Sequence, residues 1–347
     1  MMDILRDACR APSGDNVQPW RFRVHGDTVS IVNVPEKDHS LFNWHQMTSY
    51  MAIGAGAFIL FISAAGRGLK ADVEIFPDAH EPLLAARISL SPGPSAHDGL
   101  APFIAKRASN RKRYLKRVIE PEKLAELQAV TAGSGRVEFV TGKENVKRMA
   151  RIVSTGERLA LENKDVHDFL FSHVTWTEEE DSRRHGFFIN TFELVPPQKM
   201  AFKLFRNWNT LKLFLPFGVG KFVANEMGKV HATSAAFGAI VVPGRSEKDW
   251  VRTGMLMERL WLTATKLGLS LQPATTVHFI GMRVLADDPG GLSTLHQELL
   301  RKKYAELAEA FSVNVSETFG FVFRLGYADA PSAMTTRYEP DAMFEEG

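Results

Sequence analysis

The sequence predicts a mixed α+β protein made of two parts. Segments typical of strands and of helices alternate along the 347 residues, and the chain is 45% hydrophobic and 24% charged, an ordinary globular balance. The length is close to twice the roughly 150 residues of a typical domain, which predicts two domains or two fused halves. A loop at residues 91–102, rich in Pro, Gly and Ser, is the best boundary between them.

The first part, residues 1–100, is expected to hold two short helices or helix-like segments and four strands. Its helices are predicted at 3–10 and 50–65, and its strands at 21–24, 28–34, 71–76 and 84–90. The apolar segment 50–65 approaches, but does not reach, the roughly 20 residues that a membrane span requires. Since Gly54 and Gly56 allow close helix packing, we expect this segment to be a buried core helix.

The second part, residues 101–347, is expected to repeat this alternation. Pro121 opens a helix, Thr141 and Glu144 have capping-box spacing for a long helix towards Asn163, and Ser246 and Asp249 cap a further helix. We expect strands at 136–140, 237–242 and 319–325, and helices at 247–267 and 295–311.

The segment 169–231 is rich in aromatic and basic residues and has the character of an insertion. Three interpretations are open: a hydrophobic lid over a planar ligand, a helical pair packed on the core, or a basic amphipathic membrane helix.

Composition excludes several kinds of function. The net charge of +2 is too small for a general affinity for nucleic acid or acidic membranes, so any anion site is local. The single Cys9 excludes an internal disulfide and a cysteine-based zinc site. The irregular spacing of His167, His173 and His185 argues against a metal site, and the N-terminus does not resemble a secretory signal. We therefore expect a cytoplasmic protein without metal, nucleic-acid partner or membrane.

Three segments carry a binding signal. The loop 11–20, APSGDNVQPW, can hydrogen-bond the polar edge of a heterocycle, although an ordinary turn has the same composition. In an extended segment, Arg107, Ser109 and Arg111 share one side and can grip a phosphate, although a solvated basic face would also show this pattern. In 268–276, GLSLQPATT, Pro273 breaks regular pairing and can leave backbone N–H groups for a ligand.

Together, these segments resemble the nitroreductase-like FMN-dependent oxidoreductase superfamily, specifically its long, fused, Acg-like branch. The resemblance also covers the helix GMLMERLWLTATKLGLSLQP and the C-terminal FGFVFRLGYADAP with its downstream TTRYEP. It implies central, mostly antiparallel sheets flanked by helices. It also implies that FMN contacts the following residues: Pro12, Ser13, Asn16, Gln18, Arg107, Ser109, Asn110, Arg111, Pro273, Ala274, Thr275, Thr276 and Arg337.

The order of the motifs implies fusion of two subunits into one chain. The loop with Asn16 precedes the arginine segment by some ninety positions instead of following it, and each motif occurs once. Family sites take these two motifs from different subunits, so the resemblance implies an intrachain pseudo-dimer with one complete FMN site, which can be a monomer.

The resemblance implies that hydride passes from NADH or NADPH through flavin N5 to a small organic acceptor such as a nitro compound or quinone, with no catalytic side chain required. An FMN-sequestering protein with a closed lid is the alternative from another class. A dehydrogenase acting on a peptide or azoline substrate fits the same fold.

Overall fold

The computed structural model describes residues 1–93, 99–131 and 135–344. Within these ranges, the chain forms two four-stranded antiparallel sheets with helices packed against them, so the expected α+β class is confirmed. Part of the predicted boundary loop, residues 94–98, lies outside the described residues.

The first sheet is formed by residues from the first part alone. Its elements in chain order are α1 (Met2–Ala8), β1 (Trp20–His25), β2 (Thr28–Asn33), α2 (Met47–Ala65), β3 (Leu69–Ile75) and β4 (Leu84–Pro92). The strands lie in the order β1-β2-β4-β3, and every neighbouring pair is antiparallel.

The second sheet belongs to the second part. The chain forms α3 (Pro121–Ala129), β5 (Arg136–Thr141), α4 (Lys143–Val153), α5 (Thr155–Glu162), α6 (Lys164–Ser172), β6 (Val174–Thr175), α7 (Glu178–Asp181), β7 (Phe187–Phe188), α8 (Pro196–Phe205), α9 (Trp208–Phe214), α10 (Val219–His231), β8 (Ala236–Val242), α11 (Glu247–Lys266), β9 (Ser270–Pro273), α12 (Thr276–Leu285), α13 (Thr294–Ala310) and β10 (Thr318–Gly326). The order β5-β8-β10-β9 is antiparallel throughout.

The two sheets have the same topology. In each, the first, second, fourth and third strands lie side by side, and one long helix joins the second strand to the third. These two helices, α2 and α11, pack directly on each other. A Cβ atom on Gly54 would lie 2.0 Å from the carbonyl oxygen of Val251, and one on Gly254 would lie 1.9 Å from that of Met51. Two glycines therefore permit a backbone approach that no other residue allows.

Helix α2 is the core helix that the sequence predicts. The stretch Trp44–Ala65 is long and apolar enough to cross a membrane by length and composition, but 89% of its most apolar 18 residues are buried inside the protein. Contacts with α1, α11 and β3 cover it. Burial by other helices and a sheet explains its near absence of polar residues.

The predicted capping box at the start of α4 is wrong. Thr141 is the last residue of β5, and α4 begins after Gly142, whose φ of +86° makes the turn without a side-chain cap. The predicted long helix also breaks at Ser154 into α4 and α5. The capping box on α11 is confirmed, since the Ser246 N–H donates to Asp249 Oδ2 at 2.9 Å.

Candidate functional site

A cavity of about 380 Å³ is lined by residues from both parts of the chain. Its volume falls within the roughly 300 to 1,000 Å³ usual for small-molecule sites. The first part contributes the loop after α1 and residues of α2, and the second part contributes the segment before α3, the insertion, β9 and the C-terminal segment. The cavity thus depends on the packing of one part against the other.

The three predicted binding segments meet at this cavity. An isolated bridge between Ser109 and Leu271 places the arginine segment beside β9. Ten of the thirteen predicted residues line the cavity: Pro12, Ser13, Arg107, Ser109, Arg111, Pro273, Ala274, Thr275, Thr276 and Arg337. The expected free N–H is not at Ala274, because its amide donates to the Val322 carbonyl at 2.8 Å.

Asn16 and Gln18 brace the loop rather than line the cavity. The Asn16 side-chain amide donates to the carbonyls of Gly186 and Thr336 at 2.9 and 3.0 Å. The Gln18 amide donates to the carbonyl of Arg184 at 2.8 Å. Both side chains therefore tie the loop to the insertion and to the C-terminal segment, which lie on the other part of the molecule.

The same loop holds strained backbone. Asp15, Asn16 and Gln18 have φ values of 42°, 58° and 52°, in the left-handed region that residues with a Cβ avoid. Consecutive residues persist there only when their surroundings fix them, and such strain clusters at functional sites. The long-range hydrogen bonds of Asn16 and Gln18 supply that constraint.

Asn110 has a comparable bracing role on the opposite wall. Its side-chain amide donates to Ser270 Oγ at 3.1 Å, and its carbonyl oxygen accepts from the Lys112 N–H at 3.1 Å. Arg324, fully buried on β10, donates to Gln272 Oε1 at 2.6 Å and to the Lys112 carbonyl at 2.8 Å. Arg324 belongs to the C-terminal segment FGFVFRLGYADAP, but the family resemblance implies no role for it.

Arg107 lies at the cavity between an acid and an aromatic ring. Its Nε is 3.0 Å from Glu258 Oε1, and its guanidinium carbon is 4.7 Å from the centre of the Trp261 ring. Its Nη2 donates to the Arg10 carbonyl at 2.6 Å. Burial raises the pKa of Glu258 to about 7, although Arg107 and Arg337 oppose this shift. Glu258 therefore neutralises Arg107 only in part near neutral pH.

Arg111 is held by a carbonyl and by aromatic rings, and Arg337 is held by carbonyls. Arg111 donates to the Thr191 carbonyl at 3.3 Å, and its guanidinium carbon lies 5.0 Å from the centre of the Phe187 ring. Arg337 donates to the Ala11 carbonyl at 3.2 Å. Burial lowers the pKa of Arg111 to about 10 and that of Arg337 to about 9, and the nearby Arg107 lowers the latter further. The site is thus short of negative charge, which favours an anionic ligand.

Asp15 also lines the cavity, although neither the composition of its loop nor the family resemblance singles it out. It follows Gly14 in the strained loop, and its pKa is raised to about 6 by burial and by the charge of Asp38, against the effects of His173 and Arg111. The feature that could have identified Asp15 is its position inside the loop motif. The resemblance assigns a role to the neighbouring Asn16 instead.

The insertion supplies an aromatic wall. Phe169, Phe187 and Phe192 line the cavity, and Phe202 of α8 contacts Phe192 with ring centres 5.3 Å apart. Thr191, also on this wall, has a buried Oγ1 with no hydrogen-bond partner in the described ranges. Within those ranges, the His, Cys, Asp and Glu side chains form no group of three or more that could hold a metal ion.

Sequence relatives are found in Mycobacterium tuberculosis. The chain is 24% identical to "Uncharacterized protein MT1398" over 341 residues, 96% of this chain and 46% of that protein. It is 33% identical to "Putative NAD(P)H nitroreductase acg" over 103 residues, 28% of this chain and 30% of that protein. The chain therefore spans less than half the length of these relatives. No family model matches it.

Solved structures of similar proteins are more distant. The FMN-dependent nitroreductase NfnB from Mycobacterium smegmatis, in complex with NADPH, is 12% identical, with a TM-score of 0.39 and coverage of 72% of this chain and 98% of that one. A nitroreductase-like family protein from Bacillus cereus is 14% identical, with a TM-score of 0.37 and coverage of 73% and 97%. The sequence relatives, together with the motifs brought to one cavity, confirm the resemblance of this chain to the nitroreductase-like superfamily.

Proposed function

We propose that the protein is an FMN-dependent NAD(P)H oxidoreductase that reduces a small organic acceptor. One observation carries this proposal: the segments that resemble FMN-binding motifs, far apart in the sequence, line a single cavity. The names of the relatives support the same class, since they include an NAD(P)H nitroreductase assignment and FMN-dependent nitroreductase structures.

The residues at the cavity fit FMN on chemical grounds. Arg107, Arg111 and Arg337 supply cationic donors for a phosphate, and Ser109 supplies a hydroxyl. The aromatic rings of Trp261 and the insertion offer apolar surface for a planar ring system. Because burial lowers the pKa of both Arg111 and Arg337, a dianionic phosphate would restore the charge balance of the site.

When bound, FMN supplies two-electron chemistry, exchanging a hydride with NAD(P)H and with the acceptor. The protein's part is to bind, orient and exclude water. The N-terminal turn of α12 reaches the cavity through Thr275 and Thr276, and its partial positive charge favours negative charge beside it. Asp15, whose pKa is raised to about 6, can hold a proton at the cavity wall in mildly acidic solution.

We also propose that the two parts form a pseudo-dimer with one FMN site, so that a single chain is sufficient. The shared strand order and the reciprocal glycine contacts between α2 and α11 support this. Gly54 of α2 and Gly254 of α11 make equivalent contacts, so position 58 of α2 corresponds to Glu258 of α11. Position 58 is a buried phenylalanine, which cannot pair with an arginine as Glu258 does. We place the protein in the cytoplasm, where the buried free thiol of Cys9 would stay reduced.

Mixing the FMN-loaded protein with NADPH or NADH under anaerobic conditions tests the activity. We expect flavin absorbance near its visible maximum to bleach and to recover when a quinone or nitro compound is added. Tight FMN binding without bleaching by either nucleotide would favour a sequestering protein. Absence of FMN binding would overturn the proposal.

A further inference from the structure

The insertion carries an apolar surface with a strong local positive charge. Residues 194–225 contain five basic residues and no aspartate or glutamate: Lys199, Lys203, Arg206, Lys212 and Lys221. None of the five forms an ion pair with another described residue. The remaining chain is close to neutral, since the whole protein has a net charge of only +2. The segment therefore carries a local excess of positive charge.

The same segment exposes large apolar side chains. Phe217 is 86% exposed, Met200 75% and Phe222 64%. We define the basic apolar patch as these three residues, the five basic residues above and the other exposed apolar residues of the segment: Val195, Leu204, Leu213 and Phe214. Scattered exposed apolar residues are ordinary, but a cluster of this density marks an interaction surface.

The elements that carry the patch are joined in space. Phe205 of α8 and Phe214 of α9 lie with ring centres 5.5 Å apart. From α9, the chain passes through the short helical turn Leu215–Phe217 directly into α10, where Lys221 and Phe222 are exposed. Met200 and Leu204 are one helical turn apart on α8, so they share its outer face.

A cationic groove adjoins the patch at α10. Lys221 and Phe222 line it together with residues of α4, α5 and α13. Six basic side chains line it, with the carboxylate of Glu226 among them: Lys147, Arg151, Arg158, Lys221, Lys229 and Lys303. Four of the six pair with carboxylates, which leaves the charges of Arg151 and Lys221 available to a ligand. This groove can receive a phosphate-bearing headgroup beside the apolar side chains.

We propose that the basic apolar patch docks the protein on the surface of an anionic lipid membrane, with Met200, Phe217 and Phe222 entering the headgroup boundary. Apolar residues beside lysines without intervening acids are the chemistry of helices that lie in this interface. A second copy of the chain is a poorer occupant, because the five positive charges of each patch would oppose those of the other. This inference does not rest on the proposed redox activity.

The position of the patch connects it to the cavity. Met200 and Phe202 both belong to α8, and Phe202 contacts Phe192, a residue of the cavity wall. The outer side of α8 thus belongs to the basic apolar patch, while another side of this helix supports the aromatic wall of the cavity.

Sedimentation of the full chain with lipid vesicles tests the proposal. We expect binding to vesicles of phosphatidylcholine with phosphatidylglycerol, at least tenfold tighter than to phosphatidylcholine alone, and weakening as salt is raised. Lys203→Gln with Lys212→Gln should weaken binding about fivefold for each charge removed. Phe217→Ser with Phe222→Ser should weaken it more than tenfold.

Matched controls change exposed residues elsewhere. Val315 is fully exposed and Lys70 lies on β3, so Val315→Ser and Lys70→Glu should leave vesicle binding unchanged. Equal thermal midpoints of all variants establish that each is folded. Failure to bind anionic vesicles, or equal binding by the Phe217 and Phe222 variant, overturns the proposal. A dimer in sedimentation velocity that this variant abolishes assigns the patch to a second copy and overturns it as well.

Discussion

Arg107 and Glu258 form an ion pair between the segment before α3 and the middle of α11, with Nε 3.0 Å from Oε1. Their side chains are only 5% and 0% exposed. Removing one member of a buried pair leaves an unpaired charge, which is more damaging than losing a surface contact. The pair therefore fixes the position of Arg107 at the cavity.

Replacing Arg107 should weaken FMN binding. A charge-assisted hydrogen bond to phosphate contributes roughly 1.5 to 3 kcal/mol, so we expect Arg107→Ala to bind FMN about tenfold or more weakly. Fluorescence titration of FMN measures this. Arg252→Ala, which changes a half-exposed arginine on the same helix as Glu258, should leave the affinity unchanged. Equal affinity in the Arg107 variant and the wild type would contradict the phosphate assignment.

The raised pKa of Glu258 predicts a pH-dependent stability. Since the folded state holds the proton more tightly than the unfolded state, this group stabilises the fold below its ordinary pKa of 4.5, and the contribution is lost as pH rises to about 7. We expect Glu258→Gln to flatten the fall in the free energy of unfolding between pH 4.5 and 7. Urea unfolding across that range measures it. The pKa of Asp15 is also raised, so Asp15 still contributes to the pH dependence of stability in this variant.

The glycine contact between α2 and α11 predicts a sharp difference between two neighbouring substitutions. In Gly54→Ala, the new Cβ would lie 2.0 Å from a backbone carbonyl oxygen, so the helices must separate. We expect the free energy of unfolding to fall by about 2 kcal/mol or more, as it does when a core is overpacked. Gly56→Ala meets nothing closer than 3.8 Å and should be neutral or stabilising by up to about 1 kcal/mol. Equal midpoints of unfolding for both variants would show that α2 and α11 pack less closely at Gly54 than these distances require.

The bracing role of Asn16 predicts that this residue affects FMN binding although its side chain does not line the cavity. Asn16→Ala loses two hydrogen bonds that hold the strained loop against the other part of the chain. We therefore expect weaker FMN binding or a shifted visible spectrum. Asn33→Ala is the control, because Asn33 is buried in the same part but bonds Gln46 instead. Wild-type spectra and affinity in both variants would mean that the first part serves only as a scaffold.

The single set of motifs predicts one FMN per chain. Release of FMN by denaturation, measured by absorbance against protein concentration, should give a ratio near one for a monomer. A ratio near two would reveal a second site. A ratio near one that requires a dimer would show that the site is shared between chains.

The sequence determined the local elements because hydrophobic periodicity and turn residues act over short distances. It predicted the strand β8, the helix α11 with its Ser246 cap and the buried helix α2 close to their observed bounds. The motifs that carry the family resemblance also contain ten residues that line the cavity, because each motif is a short local segment.

A long internal repeat was present in the sequence but was missed. Gly54, Leu60, Ala64 and Gly68 each recur 200 residues later, as Gly254, Leu260, Ala264 and Gly268. Only the shared strand order makes this spacing evident, because the intervening residues of the two helices differ.

Tertiary structure alone decided the partners of the charged and polar groups. Glu258 lies on an ordinary helical face in the sequence, and only folding brings Arg107, 151 residues away, within 3.0 Å of it. Asn16 likewise finds its acceptors 170 and 320 residues along the chain. Burial then sets the pKa of Asp15 and Glu258, since the desolvation of a carboxyl depends on every element packed around it.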